Sequence, residues 1–327
     1  MKTYTYMCAV ETGLYDGNQE YLSGQYKVGP DTVSDWKPRG WGRISYDTGY
    51  MYSSNVGSMN VAKEYLSPEK LRNCLKQYGF GSTTDIELSG EVSGSLNFNG
   101  QIELDWLSAS YGQGLSTTAI QQLQALTIIA NDGVMVKPHI IKKIVNTETG
   151  EETITKIVKS EQIVSKETTD KIKELMYGAI NNSWTPGYTY VVKGFDLIGK
   201  TGTAQIYENG HYLTGVGNYL ISFAGMYPKN DPQIIIYAAM KKPSTYSARA
   251  LAPSVKDVVR NIAKYRNIFS NIKEETSVTS YTLSSYINQN IDAVKSSLKQ
   301  DNLDVIVIGD GSIVINQYPA KGSTVIT

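Results

Sequence analysis

Histidine is scarce in this sequence of 327 residues, where only His139 and His211 occur. Neither has a recognisable nucleophile-elbow partner, so a Ser-His-Asp hydrolase is not indicated. HExxH and CxxC patterns are also missing, and we therefore expect neither a metal site nor a cofactor. Any acid–base chemistry must depend on another type of side chain.

Neither sign of charge is in excess, because 31 Lys and Arg residues balance 31 Asp and Glu residues. Such a chain has no long-range field toward nucleic acid or an anionic membrane, so we do not expect nucleic acid as a partner. No apolar run reaches the length of a transmembrane helix, and the opening residues do not resemble a signal peptide.

Cysteine is almost absent, since only Cys8 and Cys74 occur, each in a predicted helix. Two isolated cysteines do not make a disulfide framework, so we interpret both as small buried hydrophobic residues. Phenylalanine is also rare, at 5 residues against 24 tyrosines. Because tyrosine joins an apolar ring to a hydroxyl, this excess indicates half-hydrated surfaces and grooves, as suits a protein outside the cytoplasm.

Helical patterns dominate the first part of the chain and strand patterns follow, which predicts an α+β fold. Ser67 before Pro68 indicates one helix start, and Ser116 before an apolar-periodic run indicates another. Three apolar runs separated by turn residues predict an antiparallel meander. These runs are 199–206, 219–226 and 233–240.

Three short patterns carry the candidate chemistry, and each is weak alone. Lys-Thr-Gly occurs once, at Lys200, whereas Ser-x-Asn occurs at Ser53 and at two further places. The third pattern is a lysine, Lys2, that opens a predicted helix. Their order and separation are more specific, because Ser53 follows Lys2 by 51 positions and Lys200 follows Asn55 by 145.

In that order, Ser-x-x-Lys, Ser-x-Asn and Lys-Thr-Gly are the motif set of serine penicillin-binding proteins and class A β-lactamases, which this sequence resembles. The surrounding residues, such as Tyr-Gly-Gln-Gly at 111–114 and Ala-Asn-Asp-Gly at 130–133, are similar to class B penicillin-binding proteins of Gram-positive bacteria. The resemblance implies an α+β, penicillin-binding and serine β-lactamase-like transpeptidase fold over residues 1–268.

The tail resembles a PASTA module. Asp-Ala-Val at 292–294 is similar to the start of its helix, and residues 314–322 are similar to its second half, although the usual opening Val-Pro is missing. We expect a polar linker over 269–280 and a small α+β domain over 281–327.

The family motif places its nucleophilic serine three residues before the lysine. Lys2 aligns with that lysine, so the serine position falls ahead of Met1. We therefore expect a transpeptidase domain that is truncated at its N-terminus, is inactive alone and forms no stable penicilloyl adduct. Loss of an upstream strand would also expose an edge of the sheet.

The resemblance implies acyl transfer, in which a serine attacks the carbonyl of a D-Ala-D-Ala stem peptide and an amine of a second strand completes the cross-link. Without a useful histidine, the base must be a lysine whose pKa is lowered, and Lys2 is the candidate. Ser53 would relay a proton to the leaving amine. Asn55 would bind a substrate amide and help to hold Lys2, and Lys200 would support the electrostatics of the Lys-Ser pair.

Substrate binding is implied for the Lys-Thr-Gly segment. Thr201 and Thr203 would bind the terminal carboxylate with their hydroxyls, and the Thr203 N–H would form half of the oxyanion hole. Gly202 would let the substrate approach the strand closely. Gln205 belongs to the same segment and is expected to contact the substrate.

Two other functional classes stay open. One is a β-lactamase or D,D-carboxypeptidase on the same fold, although no counterpart of a deacylating glutamate stands between Asn55 and Lys200. The other is a non-catalytic wall-binding or sensor protein. The implied partners are stem peptides, β-lactams and membrane proteins of the division or elongation machinery, with the domain on the extracellular face of the cytoplasmic membrane.

Overall fold

The computed structural model describes residues 1–245, 247–268, 280–301, 303 and 305–326. The chain divides into two compact units, Met1–Ser270 and Asn271–Thr327. The predicted boundaries, 1–268 and 281–327, stay a prediction, and most of the predicted linker, 269–279, lies outside the described residues. Among the helices of the described residues, none has the length and hydropathy needed to cross a membrane.

Helices and strands alternate along the first unit, and the described residues of the second unit add one helix and two strands. The α-helices are α1 Lys2–Val10, α2 Tyr46–Met51, α3 Asn55–Tyr65, α4 Pro68–Gln77, α5 Glu103–Tyr111, α6 Ala119–Ala130, α7 Lys166–Asn181, α8 Ala252–Arg266 and α9 Ile291–Gln300. The strands are β1 Glu20–Leu22, β2 Gln25–Val28, β3 Asp31–Ser34, β4 Arg43–Ser45, β5 Ser95–Leu96, β6 Leu115–Ser116, β7 Val134–Val136, β8 Lys143–Val145, β9 Glu152–Ile154, β10 Lys159–Gln162, β11 Ile198–Gln205, β12 Tyr207–Glu208, β13 His211–Tyr212, β14 Tyr219–Tyr227, β15 Ile234–Lys241, β16 Ser280–Thr282 and β17 Thr324–Ile326.

Capping residues set the ends of the predicted helices. Ser67 caps α4 and accepts a hydrogen bond from the N–H of Lys70, as predicted. Ser116 does not cap α6, and that prediction is wrong. Thr118 is the cap, because its hydroxyl accepts from Gln121 N–H while the Gln121 side chain accepts from Thr118 N–H.

The predicted meander is confirmed as an antiparallel three-stranded sheet in the order β11, β14, β15, with the small β12–β13 hairpin inserted between its first two strands. Side chains alternate across β14. Ile221 and Phe223 are fully buried on one face, whereas Ser222 and Ala224 face a cavity on the other. The sheet thus separates a hydrophobic core from the cavity-lining residues.

Helix α1 lies in the core of the first unit and is buried along almost its whole length, from Thr3 to Ala9. Its tyrosines have polar partners there. Tyr4 donates to the Gln122 side chain at 3.2 Å, and Tyr6 donates to a backbone carbonyl. The tyrosine excess therefore supplies this core, as well as the half-hydrated surfaces that composition suggested, because the buried hydroxyls of Tyr4 and Tyr6 find hydrogen-bond partners.

Cys8 of α1 and Cys74 of α4 form a disulfide, with their Cα atoms 6.0 Å apart. The interpretation of both as unpaired hydrophobic residues is therefore wrong. The two helices pack against each other in the core and bring together residues 66 positions apart, a contact that no local pattern reveals. Closing a loop of this length stabilises the fold by about 4 kcal/mol in a chain-entropy account.

The second unit has its own small core of Leu283, Tyr286, Val294 and Leu298. Strands β16 and β17 pair antiparallel, with Tyr281 opposite Val325. Helix α9 is capped by Asn290, whose side chain accepts from two backbone N–H groups. The unit is α+β, as predicted for the tail.

Candidate active site

Lys2 and Asn55 meet although 53 positions separate them. Lys2 is half-buried at the start of α1, and its Nζ donates to Oδ1 of Asn55 at 2.8 Å. The same Nζ lies 5.7 Å from the centre of the Tyr111 ring. Loss of hydration lowers the pKa of Lys2 to about 8, while the negative charge of Asp35 acts in the opposite direction. A lysine in this range is suited to accept a proton near neutral pH.

The Ser53-Ser54-Asn55 segment joins α2 to α3. Ser53 takes a left-handed conformation with φ of 62°, and its N–H donates to Tyr50 O at 2.9 Å. Ser54 is the cap of α3 and accepts from Gly57 N–H at 2.8 Å. Asn55 is the first residue of α3, so the predicted interruption is a break between two helices that turns the Asn55 side chain toward Lys2.

Tyr52, the residue before Ser53, belongs to a row of four aromatic rings. The centre of the Trp41 ring lies 5.3 Å from that of Trp36 and 4.4 Å from that of Tyr52. The Tyr52 ring centre in turn lies 4.7 Å from that of Trp184. Trp36 Nε1 also donates to Tyr52 O at 2.8 Å. Both the ring and the backbone of Tyr52 are thereby fixed beside the left-handed turn.

Lys200 lies on β11, close enough to Lys2 for their charges to interact. It is only 8% exposed, and its Nζ donates to Thr201 O at 3.2 Å and lies 5.8 Å from the centre of the Tyr50 ring. Burial first, and then the charge of Lys2, hold the pKa of Lys200 well below its usual value.

Among the described residues, no acidic side chain lies within ion-pair distance of Lys2 or Lys200. The described residues also contain no group of three or more His, Cys, Asp or Glu side chains arranged to hold a metal ion. Neither lysine therefore has a direct ion-pair partner among these residues, and the negative charge of Asp35 acts on Lys2 from beyond ion-pair distance.

Gly202 also has a close neighbour within the sheet. A Cβ atom at this position would lie 2.5 Å from Oγ of Ser222, the residue opposite it on β14. We expected a glycine here so that a substrate could approach closely. The nearby Ser222 side chain is a second reason for it.

Most of the predicted site residues line one cavity of about 860 Å³. Those at the cavity are Lys2, Lys200, Thr201, Gly202, Thr203 and Gln205. Ser53 and Asn55 are not among the lining residues, and Asn55 reaches the cavity through its bond to Lys2. Tyr111 also lines the cavity, Tyr50 lies beneath Lys200 and Asp35 is buried. None of the three is among the predicted site residues, because each lies outside the three motifs that carry the candidate chemistry.

Comparison with known protein families gives two matches. The family described as penicillin binding protein transpeptidase domain matches residues 1–263, and the PASTA domain family matches residues 281–327. Together they cover both units of the chain.

Individual proteins agree with these matches. Stage V sporulation protein D of Bacillus subtilis is 28% identical over 94% of this chain and 48% of its own length. Penicillin-binding protein PbpB of Mycolicibacterium smegmatis is 31% identical over 81% of this chain and 42% of its own. This chain thus spans about half the length of the curated relatives that it matches.

Solved structures agree with the predicted fold. Penicillin binding protein 3 from Mycobacterium tuberculosis, complexed with aztreonam, superposes with a TM-score of 0.75 at 27% identity, over 85% of this chain and 64% of that one. Penicillin binding protein 2X from Streptococcus thermophilus gives a TM-score of 0.71 at 26% identity, over 99% and 50%. The predicted α+β penicillin-binding fold is confirmed.

Proposed function

We propose, because the chain belongs to the family of penicillin binding protein transpeptidase domains, that it forms most of a D,D-transpeptidase site that cross-links peptidoglycan. The observation that carries the proposal is the contact between Lys2 and Asn55 beside Lys200 on β11. In this contact Lys2, which lines the cavity and has a pKa lowered to about 8, bonds to the Asn of the Ser-x-Asn motif, and the Lys-Thr-Gly segment lines the same cavity.

The proposed chemistry is acyl transfer with lysine as base. The serine of Ser-x-x-Lys, three residues before Lys2, loses its proton to Lys2 Nζ as its Oγ bonds to the penultimate D-Ala carbonyl carbon. The C–N bond then breaks, and the terminal D-Ala leaves as an amine after Ser53 relays a proton to it. An amine of a second stem peptide attacks the ester, releases the serine and forms the cross-link.

The Lys-Thr-Gly segment suits the substrate end that carries negative charge. Thr201 and Thr203 line the cavity beside Lys200, and their hydroxyls would bind the terminal carboxylate. In the described sheet β11 is an edge strand, so its outer side leaves backbone N–H groups for the oxyanion, with Thr203 as our candidate. Gln205, at the end of β11, would contact the rest of the peptide.

We further propose that the site faces the outside of the cytoplasmic membrane and binds β-lactams as substrate mimics. The Cys8–Cys74 disulfide supports an oxidising compartment. Solved relatives bound to aztreonam and ampicillin support the choice of ligand. The predicted membrane partners from the division or elongation machinery stay a prediction.

Intact-mass spectrometry after incubation with benzylpenicillin tests the function. We expect no adduct on the chain as given, and one penicilloyl adduct on a form extended by Ser-Thr ahead of Met1, which restores Ser-x-x-Lys. The variant Lys2→Ala of the extended form should be acylated far more slowly. Thermal melting of each form shows that it is folded.

Two outcomes would contradict the proposal. If the extended form is folded but never acylated, a non-catalytic wall-binding role replaces transpeptidation. If it hydrolyses nitrocefin with rapid turnover, the protein is a β-lactamase on the same fold.

A further inference from the structure

Asp35 is a buried carboxylate that no sequence motif of the site includes. It follows β3, and only 3% of its surface is exposed. Among the described residues it has no ion-pair partner. A charge removed from water in this way must be compensated by hydrogen bonds, so its partners indicate what it is built to hold.

Those partners lie mainly at the start of α3. Oδ1 of Asp35 accepts from Ser54 Oγ at 2.8 Å, from Asn55 N at 2.6 Å and from Val56 N at 3.0 Å. Oδ2 accepts from Gly24 N at 2.9 Å. Three of the four bonds thus go to the first turn of α3, where the helix dipole also favours negative charge.

Asp35 does more than an ordinary helix cap. Ser54 already caps α3 through its bond from Gly57 N–H. Asp35 lies just after β3, and it accepts hydrogen bonds from the hydroxyl of that capping residue and from the backbone N–H groups of the next two residues. It therefore fixes the helix end in position relative to β3, which a local cap does not do.

Asn55 connects Asp35 to Lys2 by hydrogen bonds. Its side-chain Nδ2 donates to Ser34 O at 3.1 Å, and its Oδ1 accepts from Lys2 Nζ at 2.8 Å. The adjacent residues Ser34 and Asp35 thus hold Asn55 by its side chain and by its backbone, and they leave one amide oxygen free for Lys2.

We infer that Asp35 is a positioning residue for the Lys2–Asn55 pair, which it orients through the backbone of Asn55 and stabilises through its negative charge. What Lys2 then does in catalysis rests on the proposed transpeptidase function. The contacts of Asp35 do not depend on that function.

Several charged or titratable groups besides Asp35 face Lys2 and act on its pKa. Lys200 on β11 lies close enough for its charge to act on Lys2, and the Tyr111 ring of α5 lies over the Lys2 ammonium. The α-amino group of Met1 also interacts with Lys2 in the chain as given. Asp35 is the negative group that raises the pKa of Lys2, so its neutralisation should lower that pKa.

The test is an NMR titration of the Lys2 side chain in the full chain labelled with ¹³C-lysine, with the signal assigned by its loss in Lys2→Arg. Asp35→Asn removes the charge but keeps an oxygen for Ser54 and Asn55. We expect it to lower the Lys2 midpoint by about half a unit to one unit. The matched control Asp31→Asn alters an exposed carboxylate at the start of β3 and should leave the midpoint unchanged.

A second NMR signal, from the side-chain amide of Asn55, reports whether this side chain keeps its position. Asp35→Ala should move this signal toward the position of a free amide, whereas Asp35→Asn should move it less. If Asp35→Ala does not fold, Ser54→Ala removes one of the four bonds without removing the charge. It should then shift the Asn55 amide while the Lys2 midpoint stays in place.

The inference is overturned if Asp35→Asn is folded and its Lys2 midpoint stays within about 0.2 unit of the parent, or if Asp31→Asn shifts it equally. The titration needs neither substrate nor nucleophile. A positive result together with a failed penicillin reaction would therefore uphold the role of Asp35 and reject the transpeptidase proposal.

Discussion

The pH dependence of acylation tests the role of Lys2 most directly. With a pKa of about 8, roughly a tenth of Lys2 is neutral at pH 7 and roughly nine tenths at pH 9. A lysine at its usual value of 10.5 would be neutral in only about 0.03% of molecules at pH 7. Burial of Lys2 therefore raises the neutral fraction of its amine about 300-fold at pH 7.

Buffers from pH 6 to pH 10 are applied to the chain extended by Ser-Thr ahead of Met1. Rate constants for penicilloyl formation are read by quenched intact-mass spectrometry. We expect the rate to rise about tenfold between pH 7 and pH 9 and then to level, because a neutral amine is needed to take the serine proton. Lys143→Arg, on the exposed β8 strand, is the control that should keep the same midpoint.

A midpoint above pH 9.5 would show that Lys2 keeps the pKa of an exposed lysine. A rate that does not change with pH would show that another group accepts the proton. Either result refutes the reasoning from burial, provided that the melting temperature is constant across the series.

Two further predictions concern the scaffold. Cys8→Ser should lower the free energy of unfolding by about 4 kcal/mol, as urea unfolding without reductant would show, since it opens the loop that the disulfide closes. Gly202→Ala should lower the melting temperature, because the new Cβ would lie 2.5 Å from Ser222 Oγ.

Each scaffold prediction has its own control. The unsubstituted chain in strong reductant should lose as much stability as Cys8→Ser, and a loss below about 1 kcal/mol in both would contradict the chain-entropy account. Adding Ser222→Ala to Gly202→Ala should restore most of the melting temperature. If it restores none, the glycine is required for some other reason than its contact with Ser222.

Local signals were sufficient for much of the fold. Ser67 and Pro68 marked the start of α4, and the apolar runs marked the three strands of the sheet. Such features depend on residues close together in the chain, whose periodicity and capping chemistry act before any tertiary contact. The start of α6 was misplaced by two residues because Ser116 and Thr118 are both good caps, and only Thr118 completes a capping box with Gln121.

The order of the three motifs and the residues around them predicted the family, and the succession of helical and strand patterns predicted the α+β class. Only the tertiary structure decided which distant residues meet: Lys2 with Asn55, Cys8 with Cys74, and Asp35 with the start of α3. The physical reason is that these contacts form where helices and strands pack. A cysteine, a carboxylate or a lysine has no preference for one distant partner until packing brings that partner within bonding distance and removes the water around it.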